Sequence, residues 1–92
     1  MKTIPFNKWS KDKIAQGKKF CTSRHGTYGD DERVVGISTP MPWGFIRDHL
    51  YMVEGADSPE ELQGVIEEIM HRHVPDDELF SVHFGDFRNK GA

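Results

Sequence analysis

The order of signals along the chain predicts an α+β fold. Three observations carry it. Residues 57–73, "DSPEELQGVIEEIMHRH", form a capped amphipathic helix. Residues 78–84, "ELFSVHF", alternate as a strand does. Between the N-terminus and residue 56, short strand signals and helical signals interleave, giving the order βαββααβ.

The elements follow in chain order. Residues 3–6, "TIPF", read as a short first strand, with Pro5 placing it at an edge. Residues 10–17, "SKDKIAQG", read as a short helix capped by Ser10 and ended by Gly17. Residues 18–24, "KKFCTSR", read as a strand with Phe20, Thr22 and Arg24 on one face and Lys19, Cys21 and Ser23 on the other. Residues 25–32, "HGTYGDDE", are a polar turn, and 33–38, "RVVGIS", a strand. "TPMPWG" at 39–44 carries two prolines, which excludes a central strand and makes it a loop anchored by Trp43. In "FIRDHLYMV", 45–53, apolar residues fall at helical spacing, and Gly55 is the stop. In the next helix Ser58 is the N-cap, Pro59 the first helical residue and Glu61 the partner of a capping box. Leu62, Val65, Ile66 and Ile69 make its apolar stripe. The closing strand sets Phe80, Val82 and Phe84 against Ser81 and His83.

With 92 residues the chain holds one domain, 1–92, and no second core. It is 36% hydrophobic and 29% charged, which places it among ordinary globular chains. Its single cysteine excludes an internal disulfide and predicts a reducing, cytoplasmic setting. No apolar run approaches the roughly 18 residues of a membrane span, and "MKTIPFNKWS" lacks the apolar stretch of a secretion signal. No membrane partner is expected.

The net charge of −3 argues against a broad DNA-binding surface. Its distribution is uneven. Residues 1–24 carry seven Lys and Arg against the one acid Asp12, whereas residues 25–80 carry thirteen acids against Arg33, Arg47 and Arg72. That asymmetry predicts a confined anion site, centred on the "GKKFCTSR" stretch at 17–24. There, Lys18, Lys19 and Arg24 surround the hydroxyl of Thr22, and the planar fork of an arginine suits phosphate or carboxylate. His49, His71, His73 and His83 lie on three different elements with no paired ligand spacing, so no metal site is expected. No cofactor is called for. Cys21 reads as a small packing residue. Trp43 is a candidate for stacking on a base, although aromatics in so small a chain more often pack the core.

The run from Ile14 to Arg24, I-x-x-G-K-K-x-x-T-x-R, resembles the signature of the ASCH domains of the PUA-like superfamily. "DHLYMVEGADSPEEL" is similar to that family's middle helix, acid–glycine turn and second capped helix, and "FSVHFGDF" to its last strand. The resemblance implies a small, partly open β-barrel covered by two to three helices, with a cleft between them. It implies RNA or a modified nucleoside as partner. Some members are amidohydrolases that deacylate N4-acetylcytidine with a lysine, a threonine and a glutamate. Carried over, these are Lys19, Thr22 and Glu54, and Arg24 matches the motif's arginine; Lys18, Arg24 and Trp43 are the candidate substrate-binding residues, Lys18 and Trp43 from the reading of the residues themselves. In that reading Lys19 serves as base and Glu54 orients it or hands a proton to the leaving amine. A nucleotide- or RNA-binding domain is the first expectation, an amidohydrolase the second and a non-catalytic interaction domain the third. Two departures stand out. Few residues remain for barrel strands between Arg33 and Trp43. A regular strand running from Lys19 would also set Lys19 and Thr22 on opposite faces.

Overall fold

The computed structural model describes residues 2–88 and is an α+β fold. Its elements are α1 (Lys8–Ala15), β1 (Cys21–Arg24), β2 (Val34–Ile37), β3 (Met41–Pro42), α2 (Trp43–Glu54), α3 (Pro59–Met70) and β4 (Leu79–Gly85). The four strands make an open, wholly antiparallel sheet around β4. Strand β1 lies along one side of it, with Cys21 opposite Phe84 and Arg24 opposite Ser81. Strands β2 and β3 pair with β4 as well, β2 from Val34 opposite Gly85 and β3 from Met41 opposite Phe80. Val35 is the extra residue of a bulge in β2, and it is exposed.

Strand β4 is the longest strand because every other strand needs it. Gly85 at its end is required by packing: a Cβ there would collide with the Arg33 carbonyl oxygen. Phe80 and Val82 enter the larger core beside Trp43, Ile46, Leu62 and Val74, with the apolar faces of α2 and α3 closing over them. A smaller cluster of Ile4, Ile14 and Phe87 lies under the N-terminal segment. Ser81 and His83 are buried too, so β4 is covered on both faces.

Three local expectations change. Residues 3–6 form no strand. The Ile4 N–H donates to Asp31 Oδ2 at 2.9 Å and its carbonyl accepts from Arg33 Nη2 at 3.2 Å, so side chains take the groups a ladder would have paired. Helix α1 is capped by Asn7, not Ser10. Asn7 is extended and its side chain accepts from the Ser10 N–H, while Ser10 itself turns inward and is buried. The segment 39–44 is not a loop throughout: Met41 and Pro42 add to the sheet, and Trp43 opens α2. The order is therefore αβββααβ.

The signals at the ends of α2 and α3 hold. Gly55 takes the left-handed conformation after α2, at φ 103°. Ser58 caps α3 by accepting from the Glu61 N–H at 3.1 Å. The reciprocal bond lies one residue earlier than a capping box would place it, from the Asp57 N–H to Glu61 Oε1 at 2.7 Å. Ser58→Ala is expected to lower unfolding free energy by about 1 kcal/mol, measured as a shift in the urea midpoint; an unchanged midpoint would remove the cap from the account.

His83 adds a pH-dependent element. Its Nε2 accepts from the Tyr28 N–H at 3.0 Å, so the proton lies on Nδ1, which donates to the Ser81 carbonyl at 3.0 Å. Burial lowers its proton affinity below the ordinary histidine value, and nearby Arg24 pushes the same way, while the Ser81 carbonyl and Asp31 oppose. A folded-state value lowered in this way contributes stability that is present above the unfolded value and lost as pH falls through the folded one. Stability should therefore begin to fall below about pH 6.5, before the carboxylates titrate. His83→Gln should lack that early slope in denaturation series between pH 7 and 5, and a slope shared by both proteins would assign it elsewhere.

Candidate functional site

The site is built at the C-terminal end of α2. A helix leaves its last carbonyls without intrahelical partners. Two are satisfied locally: the Ala56 N–H bonds to the Tyr51 carbonyl at 2.9 Å and the Gly55 N–H to Met52 at 3.2 Å, the Schellman arrangement. The next two are satisfied by the segment that leads into β1. The Phe20 N–H donates to the Val53 carbonyl at 2.8 Å, and Lys19 Nζ donates to the Glu54 carbonyl at 3.0 Å. An ammonium at this end also meets the negative pole of the helix. Gly55 allows the approach, since a Cβ there would lie 3.2 Å from the Lys19 Cβ, in a backbone conformation that already favours glycine.

Lys19 Nζ makes a second bond, to Glu54 Oε1 at 2.9 Å, and the two side chains are only 2% and 4% exposed. The other carboxylate oxygen, Oε2, accepts from Ser23 Oγ at 2.6 Å. This is a charge-assisted contact at the short end of its class. Both oxygens of the buried carboxylate are thus engaged, and one of the three ammonium donors of Lys19 remains uncommitted by these bonds.

A small cleft of about 80 Å³ opens beside this pair, between β1, the start of α1 and the inner face of α3. Lys19, Thr22, Arg24, Trp43 and Glu54 all line it, so residues from distant parts of the sequence converge there. Trp9 lines it as well; its Nε1 donates to Glu61 Oε2 at 3.0 Å, and Lys19 Nζ lies 5.7 Å from its ring. The two bonds received by Glu61, from the Asp57 N–H and from Trp9, hold its carboxyl below the ordinary carboxylate range.

Arg24 reaches across to the N-terminal segment, where Nη2 donates to the Pro5 carbonyl at 2.8 Å and the guanidinium lies over the Phe6 ring. Its Nε is buried and has no hydrogen-bond partner among the described residues. Burial lowers its proton affinity from the ordinary arginine value, with Glu54 opposing. Trp43 is fully buried and bonds Gln63 Oε1 at 2.7 Å, so it is a core wall of the cleft and offers no open face for stacking. Lys18 lies outside: it is exposed, and its charge acts on Glu61. Cys21 is core. Burial, with the Glu54 charge adding to it, pushes its thiol far above the ordinary cysteine value.

Lys19 lies before β1 begins, which answers the facing problem in an unexpected way. It meets Glu54 beside Ser23, the residue that shares its face under strict alternation. Thr22 is buried at the cleft wall, and its hydroxyl has no hydrogen bond among the described residues. Ser23 was the residue to add from the sequence: the period of two places it with Lys19, whereas the motif draws attention to Thr22. No family model, curated protein or solved structure matches the chain.

Removing one partner of a buried ion pair leaves the other charge uncompensated, at a cost of about 3–5 kcal/mol. Lys19→Met is expected to lose stability of that order. The Lys19→Met/Glu54→Leu double variant should be less destabilised than the two single changes added together, because the charges disappear as a pair. Denaturant midpoints of the four proteins measure this, and strict additivity would mean the pair is not coupled.

Proposed function

We propose that the chain is a small amidohydrolase that removes the acyl group from N4-acylated cytidine nucleosides, on an ASCH-type fold of the PUA-like class. The observation that carries this reading is the buried Lys19–Glu54 pair at the wall of a concave cleft that Thr22 and Arg24 also line. Those are the residues that the motif resemblance names, and they come from segments separated by 35 positions for the ion pair. An RNA-binding surface would instead favour an open basic strip. Here Lys8 and Lys11 of α1 are exposed, Lys8 in a pair with Asp12, Lys13 is half-buried over the Trp9 ring, and among the described residues Lys19 and Arg24 are the cations that line the cleft. The sheet is open and β3 is only two residues long, so this reading takes the fold as a reduced form of the barrel that the family resemblance implies.

The chemistry needs an attacking oxygen, a proton carrier and positive charge beside the carbonyl oxygen. Glu54 is the proton carrier that the geometry favours, because its Oε2 already accepts from a hydroxyl. Lys19 supplies the charge: its free donor stabilises the oxyanion that forms as the carbonyl is attacked. The proton taken up by Glu54 passes to the leaving nitrogen, and the acyl group leaves as a carboxylic acid once water has been added. Arg24 binds the polar edge of the base or an anionic group of the substrate.

Wild-type protein is expected to release cytidine from N4-acetylcytidine, followed by chromatography of the nucleosides. Glu54→Gln should lose about 100-fold or more, the contribution of a positioned proton carrier. Lys19→Arg should keep part of the activity, because arginine retains the charge yet cannot act as a base. Complete loss in a folded Lys19→Arg variant would return the role of base to the lysine, and an inert, folded wild type would remove the hydrolase reading in favour of a binding domain.

A further inference from the structure

Two neighbouring hydroxyls lie at the cleft, and the structure treats them differently. Thr22 precedes Ser23 on β1, and alternation turns successive side chains to opposite faces of the strand. Ser23 shares a face with Cys21, the face that α2 and α3 cover. Its Oγ therefore meets the Glu54 carboxylate at 2.6 Å, and the same carboxylate meets Lys19 Nζ at 2.9 Å through its other oxygen. The Thr22 hydroxyl has no such partner among the described residues. Ser23 is 6% exposed and walls the cleft.

A nucleophile is recognised by a base within hydrogen-bond reach and by a third group that orients the base. Hydroxyl, carboxylate and ammonium here stand in that order. We infer that Ser23, not Thr22, is the hydroxyl that attacks the acyl carbon, with Glu54 as its base and Lys19 as the group that orients Glu54. The inference rests on the hydrolase reading for its natural substrate, but the Ser23–Glu54–Lys19 array is a property of the fold whatever acyl compound enters.

The steps balance with water as the only co-reactant. The Ser23 Oγ–H proton moves to Glu54 Oε2 while Oγ bonds to the acyl carbon. The bond from that carbon to the N4 nitrogen breaks, and the nitrogen takes the proton from Glu54 and leaves as the free amine. An ester on Ser23 remains. Water then attacks the ester carbon, giving a proton to Glu54. The acyl group departs as the carboxylic acid and Ser23 recovers its proton. Cys21 takes no part, since its buried thiol belongs to the core.

The experiment uses two acyl donors: N4-acetylcytidine and p-nitrophenyl acetate, which needs no recognition of a base. Each is mixed with wild type, Ser23→Ala and Thr22→Val, quenched in acid and digested with trypsin. The peptide of residues 20–24 carries Cys21, Thr22 and Ser23, and fragmentation places an added acetyl on one of them. The expected result is acetyl on Ser23 in wild type and in Thr22→Val, none on the peptide in Ser23→Ala, and a loss of turnover of 100-fold or more in Ser23→Ala. Acetyl on Ser23 from p-nitrophenyl acetate with N4-acetylcytidine left intact would keep the nucleophile and reject the nucleoside substrate. Acetyl on Thr22 or Cys21, no acetyl on the peptide from either donor, or full turnover of N4-acetylcytidine by a folded Ser23→Ala variant would overturn the inference.

Discussion

The end of helix α2 is the constraint on which the rest of the site depends. A helix that stops inside a protein must hand its last carbonyls to something. Here the segment before β1 supplies both remaining donors, the Phe20 N–H and Lys19 Nζ. That docking sets the entry of β1 into the sheet and brings the Glu54 carboxylate over the strand. A glycine at position 55 is what lets the two backbones approach. The same few contacts therefore satisfy the helix, start the strand and assemble the charged group of the cleft.

A buried ion pair is weak evidence for stability, because the loss of hydration of both ions offsets their attraction. On the proposed reading, the pair is present in so small a core for a task. The Glu54 carboxylate is fully engaged by Lys19 and Ser23, and both bonds run along one side of β1. The surrounding wall is apolar, with Leu62, Val65, Ile66 and Ile69 of α3 facing it. Charges held in such surroundings act strongly on whatever enters, since little water intervenes. Arg24 is held differently, by a carbonyl and an aromatic ring and by no carboxylate among the ion pairs of the described residues. It is the cation of the cleft with charge to spare.

On the far side of the sheet a second polar group does structural work. Asp31 is almost fully buried, and the Arg33 guanidinium beside it holds its carboxyl well below the usual carboxylate range, helped by the Ile4 N–H. Together with His83 it fastens the irregular segments 2–7 and 25–33 onto β4. These segments have almost no regular structure of their own. Side chains do for them what ladder bonds do elsewhere, and Arg24, anchored to Pro5, is thereby kept at the mouth of the cleft.

The α+β class, the stop of α2, the start of α3 and the long closing strand were legible in the sequence, because each depends on a local rule. Gly55 and Gly17 take the left-handed turn, Ser58 caps, and the stripe of α3 sets Leu62 and Ile66 against the core while Val65 and Ile69 line the cleft. The N-terminal strand was misread because Asp31 and Arg33, nearly thirty positions away, claim the backbone of Ile4. Ser10 was misread as a cap because Asn7, three residues earlier, offers the same chemistry. The gathering of Lys19, Thr22, Arg24 and Glu54 at one cleft was an expectation from motif resemblance, and the exclusion of Lys18 was not foreseen. What only the tertiary structure decided is which hydroxyl meets the carboxylate. The sequence places Lys19 and Ser23 on one face by its period of two, but Glu54 arrives there only through the docking of α2, a contact between groups 35 positions apart that no local pattern records.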